Sequence, residues 1–290
     1  MKSFRHRIGT SAAGRARFAS IVLFIGCGLL FMPVRSVTQQ AVPVTVAAAP
    51  SVAANPLDSL LRARKLVEQF FDQSSNVVCD EFITQSTIGK TGKANYREES
   101  RYQYQLQSSN ASGSLKLKET RDARKVAFRD PNKTLLITNG FTSILLILHP
   151  DYEASYQFEN AGEQLVDGRP VDEIHFKAIP GGKSPAAMQL RGKNYPLPLN
   201  GSIWIDKESG AITRLTAAVD DSLGDLGLKG LSSDIHYALV QFHDPEESYW
   251  MPLSATIDLE TPMQHWRNVH RFTGYKRFRA TIKIELGKNE

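Results

Sequence analysis

Apolar and polar residues alternate with a period of two in the C-terminal half of the chain. The run 250–260 shows this most regularly, with apolar residues at Leu253, Ala255, Ile257 and Leu259 and polar residues between them. A strand with one buried and one solvated face has this period. The pattern therefore predicts a strand whose apolar residues all face the core.

A predicted hairpin precedes that strand. Two extended runs flank the five residues Asp206-Lys207-Glu208-Ser209-Gly210. These residue types are typical of turns, because Asp and Ser bond nearby backbone groups and Gly adopts positive φ. A further extended run spans 233–242. This half of the chain is therefore predicted to form a meandering antiparallel sheet.

Similar runs continue through the rest of the chain. We predict about ten strands, at residues 76–88, 95–108, 114–128, 152–165, 169–179, 199–205, 211–215, 233–242, 250–260 and 270–286. The many charges in 85–101 and 116–125 are expected on solvated faces and at sheet edges.

Three connections between these runs have their own signatures. Asp167-Gly168 is predicted to join the fourth and fifth strands. The apolar run 141–148 is compatible with a buried strand or with a short helix that plugs one end of the sheet, and the helix is favoured. Residues 180–198 contain four prolines and are expected to form a long loop of the kind that often acts as a lid or binding loop.

An amphipathic helix is predicted at the start of the folded region. Asn55 suits the cap, Pro56 the first helical position, and Asp58 the positive end of the helix. Apolar residues recur near a 3.6-residue period over about 17 residues, at Leu57, Leu60, Leu61, Val67, Phe70 and Phe71. The helix is expected to cover one face of the sheet. Residues 55–290 would then form one domain of mainly β (α+β) class.

The first 36 residues differ from the rest in composition. They carry six of the 35 basic residues and no acid, so the +5 charge of the chain falls to −1 without them. A basic stretch before the apolar run 18–32 is typical of an export signal, and that run is shorter than the roughly 20 residues that span a membrane. We predict a signal peptide at 1–36, a flexible linker at 37–54, and membrane contact through the N-terminal segment only.

This distribution of charge bears on location and partners. A nucleic-acid-binding protein needs a basic face on its folded part, and here the basic excess is confined to the predicted signal, so no nucleic-acid partner is expected. The expected location is the periplasm or the cell envelope. Phe24-Ile25-Gly26-Cys27 also resembles a degenerate lipoprotein box, in which Cys27 would be acylated. The apolar residues that continue past Cys27 favour an ordinary signal.

The sequence contains no strong catalytic or metal-binding motif. None of the seven histidines has the i, i+4 spacing that places two ligands on one helix face, so neither a metal nor another cofactor is predicted. The adjacent carboxylates of Asp220-Asp221 and Glu246-Glu247 are expected to point apart. Cys79 is expected to be a buried structural thiol.

Aromatic and apolar residues of the predicted strands are the candidates for ligand binding. In a curved sheet they can line a cavity for an apolar molecule, although ordinary core packing also accounts for each of them. The candidate ligand-binding residues are Tyr102, Tyr104, Trp204, Trp250, Leu253, Ile257 and Leu259.

Four parts of the chain resemble a family of exported bacterial proteins without assigned activity. These are Val78–Glu81, Gly201–Asp206 with Ile212–Leu215, Tyr249–Pro252 and Phe272–Phe278. That family in turn resembles the half-barrel fold of outer-membrane lipoprotein carriers and lipoprotein-sorting proteins. The resemblance implies a curved antiparallel sheet that wraps helices and encloses an apolar cavity for acyl chains. The expected fold is a half-barrel covered by the N-terminal helix.

These observations favour a non-catalytic exported protein that binds an apolar or amphipathic ligand. The ligand would be a lipid or the acyl chain of a lipidated protein, held in the half-barrel cavity. One alternative is an envelope interaction or sensor module that docks a protein partner and has a filled interior. Another is a hydrolase of envelope lipid or glycan, which requires two carboxylates, or a histidine with a carboxylate, in one pocket.

Overall fold

The computed structural model describes residues 56–73, 76–109, 115–125, 136–190, 193–219, 224, 227–243 and 246–278. The predicted signal peptide with Cys27 and the predicted linker lie outside these residues. So do Asn55, Asp220-Asp221 and the predicted strand segments 126–128 and 279–286. Within the described ranges, no helix is both long and apolar enough to cross a membrane.

Strands dominate the described residues, so the fold is mainly β, as the sequence predicts. The helices are α1 (Pro56–Gln73), a 3-10 helix (Ser143–Leu148) and α2 (Pro150–Glu153). The strands are β1 (Val77–Ile88), β2 (Ala94–Ser109), β3 (Lys116–Lys125), β4 (Tyr156–Val166), β5 (Arg169–Ala178), β6 (Ala187–Leu190), β7 (Lys193–Pro196), β8 (Leu199–Asp206), β9 (Ile212–Val219), β10 (Gly230–His243), β11 (Glu246–Glu260) and β12 (His265–Arg277).

Ten strands form one antiparallel sheet in the order β3-β2-β1-β12-β11-β10-β9-β8-β5-β4. Most neighbours in this order are also consecutive in the chain, which confirms the predicted meander. There are three exceptions: β12 pairs with β1, β8 pairs with β5, and β3 and β4 lie at opposite edges although they are consecutive in the chain. The sheet is not closed and fits a curved half-barrel.

The loop expected at 180–198 contains a small ribbon of its own. Strands β6 and β7 pair with each other in a separate two-stranded sheet. Because β5 and β8 on either side pair directly, the ribbon is an insertion between two neighbouring strands of the large sheet.

Two tight turns follow the predicted chemistry. Asp167 and Gly168 join β4 and β5 with φ values of 50° and 77°, and a type I′ hairpin turn needs two such positive values. In the turn after β8, Asp206 Oδ1 accepts hydrogen bonds from the backbone N–H of Glu208 at 3.1 Å and of Ser209 at 2.8 Å. Burial raises the pKa of Asp206, but these hydrogen bonds outweigh it and lower the pKa below its usual value.

Helix α1 packs on one face of the large sheet, which we call the inner face. Its buried apolar residues are Leu60, Ala63, Val67, Phe70 and Phe71. Leu61, predicted to belong to this set, is 51% exposed, because it lies at least about 80° around the helix from each of these buried residues. Helix α1 therefore covers the sheet as predicted, but its apolar stripe is narrower than predicted.

The apolar run 141–148 forms a 3-10 helix, which confirms the favoured interpretation. Its residues 144–148 are all buried. The strand expected from Tyr152 starts only at Tyr156, because residues 150–153 form α2. His149 caps that helix, its Nδ1 accepting a hydrogen bond from the Asp151 backbone N–H at 3.2 Å.

The inner face has two chemically different parts. The apolar half comprises the inner side chains of β5, β8, β9 and β10, which include Ile174, Phe176, Ile203, Ile205, Leu215 and Ile235. The polar half comprises those of β1, β2, β3 and β12, which include Glu81, Gln85, Glu98, Glu119, Arg121, Asn268 and His270.

The predicted orientation of Leu253 is wrong. In the pairing of β10 with β11, His236 faces Ser254 and Tyr237 faces Pro252, so Leu253 is the extra residue of a β-bulge. Its side chain is 51% exposed. After the bulge the predicted alternation holds, and the buried residues there are Ala255, Ile257 and Leu259.

Candidate functional site

A cavity of about 320 Å³ opens on the inner face among β1, β2, β3 and β12. We call it the inner cleft. Residues 136–139 form one of its walls. Its apolar lining consists of Ile83, Tyr102, Tyr104, Leu136 and Ile137. The volume falls within the range of about 300–1,000 Å³ that is usual for small-molecule sites.

Two other depressions, of about 370 and 630 Å³, lie along β4 to β11 and share Asn200 and Gly201. A Cβ at Gly201 would lie 1.9 Å from the carbonyl oxygen of Thr216, so only glycine fits this close approach of two strands. The missing side chain contributes to both depressions. The inner cleft, in contrast, contains buried ionisable groups from several strands.

Three buried side chains from different strands meet at the inner cleft. Arg121 Nη2 donates to Glu81 Oε1 at 2.8 Å, and Arg121 Nε donates to the other carboxylate oxygen. His270 Nδ1 lies 2.8 Å from Glu81 Oε1. The Glu81 and His270 side chains are fully buried, and that of Arg121 is 12% exposed. Both oxygens of the carboxylate thus have partners, as burial of a charge requires.

Burial and pairing act in opposite directions on these groups. Burial raises the pKa of Glu81, but the hydrogen bonds from His270 and Arg121 outweigh it and hold that pKa below its usual value. Burial lowers the pKa of His270, and the hydrogen bond to Glu81 offsets this only in part. At neutral pH Glu81 is therefore ionised and His270 neutral.

These protonation states set the direction of the neighbouring hydrogen bonds. An ionised Glu81 can only accept, so His270 Nδ1 carries the proton and donates it. The other ring nitrogen, Nε2, then accepts from Thr138 Oγ1, which lies 2.7 Å away. Asn268 Nδ2 in turn donates to Thr138 Oγ1 at 3.2 Å. A directed chain of hydrogen bonds therefore runs from Asn268 through Thr138 and His270 to Glu81.

Side chains of the sheet also hold the rest of this wall. The carbonyl oxygen of Leu136 accepts hydrogen bonds from Gln85 Nε2 at 2.8 Å and Asn268 Nδ2 at 2.7 Å. Glu119 accepts from the backbone N–H of Gly140 at 2.8 Å and of Ser143 at 2.9 Å. Residues of β1, β3 and β12 thereby fix the position of the wall.

The structure brings two of the seven predicted ligand-binding residues to the inner cleft. Tyr102 and Tyr104, on β2, line it. Trp204 lies beside Arg214, whose guanidinium carbon is 4.6 Å from the ring centroid. Outside the cleft lining, Trp250 is half-buried, Leu253 is exposed, and Ile257 and Leu259 are buried. A ligand-binding role stays a prediction for all seven residues.

Sequence reasoning did not find the cluster of Glu81, Arg121, Thr138 and His270. Glu81 and His270 are 189 residues apart in the chain, so no local spacing connects them. Arg121 was expected on a solvated face, and it points to the inner face instead. In these strands, polar residues occupy the alternate positions that face the core. Polar residues are unusual on a buried face, so little in the sequence indicated that these positions are buried.

Among the other described histidines, His265 has a similar but partly exposed arrangement: its Nε2 lies 2.7 Å from Asp258 Oδ1, which also accepts a hydrogen bond from Arg267 Nε at 2.9 Å. His175 and His236 lie on β5 and β10, and β8 and β9 separate them. Among the described residues, no three His, Cys, Asp or Glu side chains are placed to hold a metal ion.

No protein-family model matches the chain, and no curated protein matches it. Similar solved structures include a putative outer membrane lipoprotein-sorting protein domain from Vibrio parahaemolyticus, with 12% identity, a TM-score of 0.41, and coverage of 79% of this chain and 95% of that one. A DUF1329 family protein from Desulfovibrio piger has 11% identity and a TM-score of 0.39, with 77% and 93% covered. A LolA superfamily protein from Nitrosomonas europaea has 10% identity and a TM-score of 0.38, with 79% and 96% covered.

The first of these structures is described as a lipoprotein-sorting protein domain, the kind of protein that the sequence resembles. At such identities and scores the likeness decides neither ligand nor activity. The functional proposals therefore rest on the residues of this chain.

Proposed function

We propose that the protein is exported to the periplasm or cell envelope and binds an amphipathic ligand there. The ligand would be a lipid or a lipoprotein acyl chain, and it would lie in the inner cleft. The main support is the cleft lining, which combines apolar side chains such as Ile83 and Tyr102 with hydrogen-bonding groups such as Asn139. Such a lining suits a molecule with an apolar chain and a polar head.

The buried charges beside the cleft are compatible with an apolar occupant. Glu81 is paired with both Arg121 and His270, and Gln85 Nε2 donates to Asn268 Oδ1 at 2.8 Å as well as to the wall. Because these polar atoms already have partners inside the protein, an acyl chain can lie against them without leaving a buried group unpaired.

Ile137 offers a contact at the edge of the cleft. It belongs to the lining and yet is 78% exposed. An apolar side chain in this position can pack against a bound chain and is solvated when the cleft is empty. It can also be replaced without disturbing the core.

The test is ligand binding by the protein purified without detergent. Native mass spectrometry with solvent extraction would detect a co-purified lipid, and titration with the fluorescent acyl probe 11-(dansylamino)undecanoic acid would measure affinity. We expect Ile137→Asp to weaken probe binding by about tenfold, since a carboxylate would replace an apolar contact of roughly 1.5 kcal/mol or more. Met263→Asp, at an 88% exposed position outside the lining, should bind like the parent protein.

Equal binding by the two aspartate variants would contradict the proposed site. Absence of both a co-purified lipid and probe binding would contradict the proposed function.

A second candidate, a protein-docking module, is favoured by one observation. The apolar half is filled with its own side chains: Ile203, Ile205 and Leu215 are fully buried beneath the helices. A filled interior has no room for a ligand, so a protein partner would bind to the outer surface. Binding of an envelope protein, by a chain that takes up no probe, would support this candidate.

A further inference from the structure

We propose that Thr138, His270 and Glu81 form an esterase site in the inner cleft. The proposal rests on the binding function above and adds a reaction to it, the hydrolysis of an ester in the bound amphiphile. It departs from the expectation of a non-catalytic protein that the sequence suggested.

The arrangement meets the geometric requirements for an activated nucleophile. Thr138 Oγ1 lies 2.7 Å from His270 Nε2, and His270 Nδ1 lies 2.8 Å from Glu81 Oε1. A hydroxyl, a base and a carboxylate that orients the base, each within hydrogen-bond reach of the next, define this kind of site on unrelated folds. The direction of the hydrogen bonds is also the required one, because the hydroxyl donates to the unprotonated ring nitrogen.

The hydroxyl is positioned where a substrate can meet it. Thr138 and His270 both belong to the lining of the inner cleft, but Thr138 is half-buried, whereas the His270 and Glu81 side chains are fully buried. An amphiphile in the cleft would therefore meet the Thr138 hydroxyl, and the base would lie directly behind that hydroxyl.

Arg121 acts as a positioning residue. Its two hydrogen bonds to Glu81 hold the carboxylate plane in place and keep the carboxylate ionised. Its positive charge also disfavours protonation of His270. The imidazole thus stays available as a base below the pH at which a free histidine takes up a proton.

In the proposed reaction, Thr138 Oγ attacks the ester carbonyl carbon while its proton moves to His270 Nε2. The tetrahedral intermediate collapses by breaking the carbon–oxygen bond to the alcohol, which leaves with the proton from Nε2. Water then attacks the acyl-threonine ester and gives a proton to Nε2. That proton returns to Thr138 as the carboxylic acid departs, so ester and water yield acid and alcohol.

The experiment compares variants of the full chain in hydrolysis of p-nitrophenyl octanoate. Thr138→Val keeps the shape of the side chain and removes the hydroxyl, and we expect a loss of about 100-fold or more in kcat/KM. Thr138→Ser keeps the hydroxyl and should retain activity within about tenfold. Thr84→Val, on β1 but outside the cleft lining, is the matched control and should leave the rate unchanged.

A second measurement locates the nucleophile directly. An alkyl fluorophosphonate should phosphonylate the hydroxyl, and peptide mass spectrometry should place the adduct on Thr138. His270→Gln should prevent the labelling, because the base is then missing.

Turnover by the parent protein no faster than by Thr138→Val, or an adduct on another residue, would overturn the proposal. Binding of the dansyl probe distinguishes this failure from failure of the binding function. A chain that binds the probe without cleaving esters is a binding protein only, whereas a chain that does neither refutes both proposals.

Discussion

The two halves of the inner face solve the same burial problem with different chemistry. In the apolar half, aliphatic side chains of β5, β8, β9 and β10 pack beneath α1 and the 3-10 helix. In the polar half, β1, β3 and β12 bury a carboxylate, a guanidinium and an imidazole that pair with one another. Apolar packing dominates the first half, which also buries Asp172, whereas the second half requires every partner of its buried charges to be present.

This difference also explains where the cleft lies. Aliphatic side chains of several sizes can fill space closely, and Ile203, Ile205 and Leu215 of the apolar half are fully buried. Hydrogen-bonded groups hold fixed distances and directions, so the wall at residues 136–139 is held over the polar half without filling it. The polar half therefore offers room for a ligand in the inner cleft.

The largest expected effect comes from removing one member of the buried ion pair. Arg121→Ala leaves Glu81 charged in a buried site, and we expect the free energy of unfolding to fall by about 3–5 kcal/mol. Arg214→Ala breaks a pair of similar length with Asp234, 2.8 Å, whose side chains are 36% and 37% exposed. That control should cost about 1 kcal/mol or less. Urea unfolding measures both, and equal losses would contradict the distinction.

A slightly smaller effect is expected from a cavity in the apolar half. Leu215 is fully buried, and Leu215→Ala should lower the free energy of unfolding by about 3 kcal/mol, through lost burial and an unfilled cavity. Leu253→Ala, at the exposed bulge, should change it by about 0.5 kcal/mol or less. A large fall in the free energy of unfolding for Leu253→Ala, measured in the same urea titrations, would contradict the exposed position of this side chain.

Acid should weaken the polar half before the apolar half. Because the pKa of His270 is lowered in the folded state, the unfolded chain takes up a proton first, and stability is lost as the pH falls below about 6.5. Because the pKa of Glu81 is also lowered, its contribution is present above the unfolded pKa of about 4.3 and is lost as the pH falls through the folded value. Both signs agree.

Urea unfolding between pH 7 and pH 5 tests the histidine contribution. His270→Gln should flatten the dependence of stability on pH in this range, whatever its effect on absolute stability. A slope unchanged from that of the parent protein would assign the acid sensitivity to other groups.

The smallest expected effect concerns Cys79, which is 3% exposed, as predicted for a structural thiol. Burial raises its pKa to about 12, so iodoacetamide at pH 8 should modify the folded protein at about one-tenth or less of the rate of the unfolded chain. Cys79 lies opposite Tyr104, a residue of the cleft lining. Arg121→Ala, which disturbs the polar half where Cys79 lies, should therefore accelerate labelling more than Leu215→Ala, which disturbs the apolar half. The reverse order would contradict the idea that the two halves are destabilised separately.

Local patterns in the sequence predict most of the elements of this fold. The alternation in 250–260 and the turn residues from Asp206 to Gly210 predict β11 and the β8–β9 hairpin, because strand period and turn chemistry depend on near neighbours. The bulge at Leu253 depends on the register with β10, a partner strand, and so alternation within β11 alone could not reveal it.

The candidate site was harder to predict for the same reason. Arg121 sits among nine other residues of a charged strand, and its inward orientation follows only from the pairing of β3 with β2. Thr138 lies outside any strand and carries no sequence signal. Its role follows from the side chains of β12, 130 or more residues later in the chain.

The pairing of β1 with β12 has a consequence for how the chain assembles. Strand β1 has β2 available soon after synthesis, but its other edge waits for a strand that begins at His265. Contacts so distant in the chain form slowly, because a long loop must close first. A chain that emerges N-terminus first therefore keeps β1 half-paired until β12 has emerged. During that interval the open edge of β1 is the part most exposed to wrong partners.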